Sequence, residues 1–168
     1  CIRNCSFCIV RQKEGGIRVV GDIYDIWDGK SKEIVIMDNN ILAIPEHFTH
    51  IASQIKKENL TVDFNQGLDH RLLNGNIVNT LLSLKHKHEI RFAYDNINQE
   101  NEVKEAIKLL KDRGLKEWGA RWYVYVGTYD TFETVFKRMK LLQEHKQSVY
   151  VMRDRLVYNQ PWAIALAS

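Results

Sequence analysis

This sequence is poor in the residues that interrupt regular structure, and it has no long apolar run. Only 2 of its 168 residues are proline and 9 are glycine, whereas 45% are hydrophobic and 27% are charged. This composition excludes a disordered chain, a collagen-like repeat and a mucin-like stalk. The longest apolar stretches, such as residues 122–126, are far shorter than the roughly 20 residues that cross a bilayer. The sequence therefore predicts a single packed domain over residues 1–168 with no membrane span.

An excess of charge of one sign is also nearly absent. The 24 Lys and Arg residues outnumber the 21 Asp and Glu residues only slightly, for a formal net charge of +3. Two segments combine basic and aromatic residues, but residues 85–88 fit a solvated turn, and residues 121–125 fit a strand within a sheet. The sequence thus leaves a nucleic-acid partner open without supporting one.

Cysteine is absent after residue 8, and its three copies, Cys1, Cys5 and Cys8, share one short segment. Disulfide scaffolds distribute an even number of cysteines along the chain, so this odd and crowded set argues against one. Clustered thiols indicate a metal site in a reducing compartment, and we therefore expect a cytoplasmic protein. A lipidated N-terminal cysteine would account for Cys1 but would leave the other two thiols unexplained.

Short β-rich runs alternate with amphipathic patterns from residue 33 onward. The runs predict five strands, at residues 33–37, 60–64, 89–94, 121–126 and 148–152. Apolar residues at helical spacing predict helices over residues 48–55, 73–84, 103–110 and 132–142, the last opened by a capping box of Asp130 and Glu133. A further helix is predicted at residues 17–27. Strands separated by helices favour an α/β fold with parallel strands.

Polar residues follow each predicted strand. They include Asp38, Asn39 and Asn40 after the first strand, Asn65, Gln66 and Asp69 after the second, Asp95 after the third, Thr128 and Asp130 beside Gly127 after the fourth, and Arg153 and Asp154 after the fifth. Ligands of parallel α/β proteins bind at the carboxyl edge of the sheet, where these segments meet. Asp and Asn also favour ordinary turns, so no single residue of this set identifies a site by itself. Adjacent amides such as Asn39 and Asn40 nevertheless suit a polar small molecule.

The cysteine segment has the spacing C-x3-C-x2-C, with Phe7 directly before the last cysteine. This pattern resembles the signature of the radical S-adenosylmethionine superfamily. The resemblance implies that Cys1, Cys5 and Cys8 bind three irons of a 4Fe-4S cluster and leave the fourth iron open for S-adenosylmethionine. A zinc site is the alternative, but structural zinc takes four ligands, so a distant histidine would have to complete it.

The resemblance also implies a fold, a partial (β/α)6 TIM-like barrel. The family's first strand precedes the cysteine loop and has no counterpart here, so we expect the chain to be a fragment of the core domain. Asp38, Asn39 and Asn40 stand where the family has a glycine-rich motif that contacts the methionine amino group, although the glycines are lacking. The regions that meet the ribose and the methionine carboxylate contain Asn65, Gln66, Asp69, Arg71, Arg91 and Asp95. Phe7 and Gly127 fall where the adenine binds.

The function implied by the resemblance is that of a radical S-adenosylmethionine enzyme. Such an enzyme reduces its cluster with a low-potential donor such as flavodoxin or ferredoxin. It then cleaves S-adenosylmethionine to a 5′-deoxyadenosyl radical, which abstracts hydrogen from a substrate that this sequence does not identify. Two alternatives stay open. One is an electron-transfer or regulatory iron–sulfur module, and the other is an interaction module stabilised by zinc.

Overall fold

A computed structural model describes all of residues 1–168 and contains six β-strands and seven α-helices. The strands are β1 (Glu33–Ile36), β2 (Thr61–Phe64), β3 (Lys85–His86), β4 (Ile90–Tyr94), β5 (Ala120–Val126) and β6 (Ser148–Arg153). The helices are α1 (Val10–Glu14), α2 (Ile23–Ile26), α3 (Pro45–Lys57), α4 (Gly75–Leu82), α5 (Glu100–Asp112), α6 (Phe132–Glu144) and α7 (Pro161–Ala167). None of these helices is both long and apolar enough to cross a membrane.

The strands form two parallel three-stranded sheets, ordered β1-β2-β3 and β4-β5-β6. A single parallel bridge between Leu68 and Phe92 links them. At this bridge the Leu68 amide donates to Arg91 O at 2.8 Å, and the Ala93 amide donates to Leu68 O at 3.1 Å. The sheets are open and do not close into a barrel. The predicted parallel α/β class is therefore confirmed, whereas the partial (β/α)6 barrel is not.

One face of the strands is buried in the hydrophobic core, and the other carries half-exposed polar and aromatic side chains. In β5, Trp122 and Val124 are fully buried, while Arg121, Tyr123 and Tyr125 alternate with them on the opposite face. The long helices α3, α4, α5 and α6 contribute their apolar stripes to the same core. This alternation places Tyr125 on the polar face at the carboxyl end of β5.

Three segments differ from the local prediction. The helix predicted at residues 17–27 is reduced to α2, because the Asp22 carboxylate accepts from the Tyr24 amide at 2.8 Å and starts the helix at Ile23. Residues 85–88, predicted as a turn, contribute β3, which pairs with the first half of β2. The C-terminal apolar segment, for which no element was predicted, forms α7.

Helix α6 begins as predicted but buries a different face. Its N-cap is Thr131, whose hydroxyl accepts from the Thr134 amide at 3.3 Å, so the predicted box of Asp130 and Glu133 is wrong. The apolar residues Phe132 and Phe136 stack on each other and are 42% and 50% exposed. The buried face consists of Val135, Arg138, Leu141 and Leu142. A charged residue therefore occupies the interior side of this helix.

Candidate functional site

The segment that carries the three cysteines lies along the carboxyl ends of the parallel strands. Beside β1, the side-chain amide of Asn40 donates to Cys1 Sγ at 3.7 Å. Beyond β2, Arg3 Nε donates to Asp69 Oδ2 at 2.6 Å. Farther along, Cys5 and Phe7 lie at the ends of β4 and β5, beside Asp95 and Tyr125. Residues 1 to 7 thus cross the sheet edge from β1 to β5.

The first cavity at this edge, the Cys1 cavity, has a volume of about 440 Å³ and is lined by Cys1, Asp38, Asn39, Asn40 and residues 16–21, among others. Asn40 is buried, and its Oδ1 has no hydrogen-bond partner. Asn39 is exposed and donates to Glu14 Oε2 at 2.8 Å. Asp38 Oδ1 accepts from the Asn40 amide at 2.7 Å and so shapes the turn. Of the three, only Asn40 keeps an unused polar atom in the interior.

The second cavity, the Phe7 cavity, has a volume of about 490 Å³ and is lined by Cys5, Phe7, Arg71, Asp95 and Gly127, among others. The Phe7 ring stacks on Tyr125, with ring centroids 3.8 Å apart and planes 20° apart. The Tyr125 hydroxyl donates to Asp154 Oδ2 at 2.6 Å. A Cβ added to Gly127 would lie 2.7 Å from Tyr125 Cε1, so the absence of a side chain at position 127 makes room for the Tyr125 ring.

Two carboxylates at this edge have opposite electrostatic environments. Burial alone would raise the pKa of Asp69, but hydrogen bonds from Arg71 and Arg3 outweigh it and lower the pKa. Burial raises the pKa of Asp95 to about 6, because the nearby cations Arg71 and Arg138 only partly compensate for the lost hydration. Asp95 therefore changes its charge close to neutral pH, whereas Asp69 stays ionised.

The three thiols are free and half-buried. The Cys8 amide donates to Cys5 O at 3.1 Å, which closes a tight turn between these two cysteines. Burial raises the pKa of Cys5, and the charges of Asp95 and Cys8 raise it further. The donor set has the chemistry of an iron–sulfur or zinc site. However, no three His, Cys, Asp or Glu side chains in the structure are arranged to hold a metal ion.

Four residues expected to meet the cofactor line neither cavity; they are Asn65, Gln66, Asp69 and Arg91. Asn65 is exposed, and neither it nor Gln66 lines the Cys1 or the Phe7 cavity. Arg91 forms an ion pair with Asp63 and donates to Phe64 O at 3.1 Å. Both partners lie on β2, so the Arg91 guanidinium binds to the neighbouring strand and not to a group in either cavity. These side chains are thus not among those that line the two cavities, and their contact with a cofactor stays a prediction.

Residues 85–88 and 121–125, the basic and aromatic segments that left a nucleic-acid partner open, form hydrogen bonds and ion pairs with other residues of the chain. Lys85 donates to Asn59, Lys87 pairs with Glu33, and Arg121 pairs with Glu89 at 2.8 Å. Trp122 is fully buried. The cations of these segments thus have partners inside the protein.

Two side chains important for the geometry were not predicted. Tyr125 stacks on Phe7, and Arg138 is buried behind the ends of β4 and β5. The partner of Phe7 is 118 positions away in the chain, and no local pattern connects the two. Arg138 did leave a signal, because a lone arginine stands at helical spacing between Val135 and Leu142 in an apolar stripe.

Comparison of the chain with protein-family models, with curated proteins and with solved structures finds no match.

Proposed function

We propose that this chain is the core of a radical S-adenosylmethionine enzyme that acts on a substrate not yet identified. The observation that carries the proposal is the course of the cysteine segment. Its residues contact the carboxyl ends of β1, β2, β4 and β5 in turn, with Cys1 on Asn40 and Phe7 on Tyr125. A segment of three thiols would thus hold a cluster directly above the edge at which parallel α/β proteins bind their ligands.

The donor set supports a 4Fe-4S cluster bound by Cys1, Cys5 and Cys8. All three thiols are free. Because burial raises the pKa of Cys5, this thiol must lose its proton when the cluster binds. When bound and reduced, such a cluster supplies the electron that cleaves S-adenosylmethionine. The three thiols would have to turn toward a common point during loading, while the contacts of Arg3 with Asp69 and of Phe7 with Tyr125 hold the segment at the sheet edge.

The two cavities suit the two ends of S-adenosylmethionine. The unpartnered Oδ1 of Asn40 in the Cys1 cavity is an acceptor for the methionine amino group. In the Phe7 cavity, the ring of Phe7 and the backbone at Gly127 offer an apolar wall for the adenine, and Asp95 offers an acceptor for ribose hydroxyls. Asp69 holds Arg3 and Arg71 in place between the cavities.

We further propose that the two sheets belong to one partial (β/α)6 TIM-like barrel. Two contacts join the sheets: the bridge of Leu68, in the loop after β2, with Phe92 on β4, and the ion pair of Asp63 on β2 with Arg91 on β4. They support a continuous parallel order through the two sheets. The cluster would receive its electron from a low-potential donor such as flavodoxin or ferredoxin, in the cytoplasm, where thiols stay reduced.

The test is anaerobic reconstitution of the purified protein with iron and sulfide, followed by incubation with S-adenosylmethionine and a low-potential reductant. We expect about four irons per chain and slow release of 5′-deoxyadenosine. Alanine at Cys1, Cys5 or Cys8 should abolish both, whereas Gln12→Ala should change neither, because Gln12 is exposed on α1 and lines neither cavity.

The outcomes separate the alternatives. A stable cluster with neither S-adenosylmethionine binding nor 5′-deoxyadenosine would contradict the enzyme and favour an electron-transfer or regulatory module. Stoichiometric zinc without a cluster, from protein purified under anaerobic conditions, would favour an interaction module stabilised by zinc.

A further inference from the structure

Arg138 is the one arginine of the chain whose side chain is wholly inaccessible to solvent. It projects from α6 and donates to Asp130 Oδ1 at 2.5 Å, to Tyr125 O at 2.9 Å and to Tyr94 O at 3.1 Å. A longer contact of 3.4 Å joins its Nε to Thr134 O in the preceding turn of α6. The guanidinium therefore lies behind the carboxyl ends of β4 and β5 and bonds to both.

Each residue that accepts a hydrogen bond from Arg138 beyond α6 lines the Phe7 cavity or directly precedes a residue that does. Tyr94 is the residue before Asp95, and the ring of Tyr125 stacks on Phe7. Asp130 uses its second oxygen, Oδ2, to accept from the Gly127 amide at 2.9 Å. One guanidinium thus connects the ends of two strands and the loop after β5, which together form one side of the cavity.

Arginine is the side chain that this position requires. A buried cation is costly unless it is paired and its donors are satisfied, and a core of leucines would give stability without that cost. The planar fork of arginine reaches three acceptors that lie on three different segments, whereas the ammonium of lysine is a compact point charge. The arrangement therefore fixes the relative positions of these segments rather than merely filling space.

We propose that Arg138 is a positioning residue, which sets the distance between the ends of β4 and β5 and so shapes the Phe7 cavity for its ligand. The identity of that ligand, S-adenosylmethionine, rests on the proposed function. The positioning itself is a property of the protein without ligand. It acts through Asp130 and the two strand carbonyls, and Arg138 does not touch the ligand.

The test compares Arg138→Gln with Leu142→Ala, a change at another fully buried position of the same helix that makes no contact with the cavity. Both variants should unfold at a lower temperature. In the ligand-free protein, only Arg138→Gln should speed amide hydrogen exchange at Gly127, because Asp130 loses its anchor. With the cluster loaded, only Arg138→Gln should weaken S-adenosylmethionine binding, by about tenfold, with the iron content unchanged. Arg138→Lys should fall between it and the unaltered protein.

The positioning role would be overturned if Arg138→Gln and Leu142→Ala sped amide exchange at Gly127 equally. It would also be overturned if the two variants lost the same thermal stability and bound S-adenosylmethionine equally weakly. If Arg138→Gln does not fold, Arg138→Lys carries the same comparison, because its compact ammonium keeps the charge but cannot reach all three acceptors of Arg138 at once. If the unaltered protein does not bind S-adenosylmethionine, the proposed function is wrong. The exchange measurement then still decides the role of Arg138.

Discussion

Two adjacent asparagines illustrate what the structure adds at the scale of single residues. The sequence offers Asn39 and Asn40 as equivalent amides after β1. The structure separates them, because Asn39 is exposed and bonded to Glu14, whereas Asn40 is buried, contacts Cys1 and keeps a free oxygen. An unsatisfied buried acceptor costs about 1 to 3 kcal/mol, and a ligand that donates to it would recover that cost.

We therefore predict different outcomes for Asn40→Ala and Asn39→Ala. Asn40→Ala should weaken S-adenosylmethionine binding by about 1 to 3 kcal/mol, because the methionine amino group loses its acceptor. The same change should lower the free energy of unfolding of the ligand-free protein by less than about 1 kcal/mol, because removal of the unpaired Oδ1 offsets the loss of the weak bond to Cys1 Sγ. Calorimetric titration and urea unfolding measure the two quantities. Asn39→Ala is the matched control, and an equal loss of affinity in both variants would contradict the assignment.

At the scale of elements, the join between the two sheets depends on a pair of charged side chains. Asp63 on β2 and Arg91 on β4 form an ion pair in which the side chains are only 12% and 11% exposed. Arg91 also donates to the carbonyl of Phe64, the last residue of β2. The backbone bridge of Leu68 with Phe92 and this ion pair of β2 with β4 thus connect the sheet β1-β2-β3 to the sheet β4-β5-β6.

Removing one partner of this pair should be costly. Arg91→Met leaves the Asp63 carboxylate buried without a partner, and we expect it to lower the free energy of unfolding by about 3 to 5 kcal/mol. The double variant Asp63→Asn with Arg91→Met should recover much of that loss, because no unpaired charge remains. Lys108→Ala is the control; it breaks an exposed pair on α5 and should cost less than about 1 kcal/mol. Urea unfolding at neutral pH decides, and a small loss in Arg91→Met would show that the sheets are held together by other contacts.

The elements that could be predicted from the sequence are those specified by local patterns. Strands β1, β2, β4, β5 and β6 follow β-rich runs, and the long helices α3, α4, α5 and α6 follow apolar periodicity. The short strand β3 exists only because β2 pairs with it, and no local pattern predicts it. The helix expected at residues 17–27 fails because Asp22 caps a later start.

The candidate site divides in the same way. The cysteine spacing and the polar residues after the strands are local and could be read from the sequence. The stacking of Phe7 on Tyr125 and the pairing of Arg91 with Asp63 join residues far apart in the chain, and the fold determines them. The exposed faces of Phe132 and Phe136 show the same effect on a helix, because the packing of α6 against the sheet selects its buried side.

At the scale of the whole molecule, the carboxylates at the sheet edge make stability depend on pH in two opposite ways. Asp69 has a lowered pKa in the folded protein, because two arginines bond to it, so its contribution to stability is lost as the pH falls through that lowered value. Asp95 has a pKa raised from 3.8 to about 6 by burial. Its ionised form is therefore disfavoured by folding, and it destabilises the protein above that pH.

In the ligand-free protein, Asp95→Asn removes a buried charge and should raise the free energy of unfolding at pH 7 by about 2 kcal/mol. As the pH falls from about 6 toward 3.8, Asp95 takes up a proton in the folded state first, so the advantage of the variant should shrink and vanish near the lower value. Urea unfolding at pH 7 and pH 4 measures both points, with Asp112→Asn, an exposed carboxylate on α5, as the control. A gap that does not change with pH would mean that Asp95 is not the group that titrates, and a loss of stability at pH 7 would mean that its carboxylate has a partner that stabilises the fold.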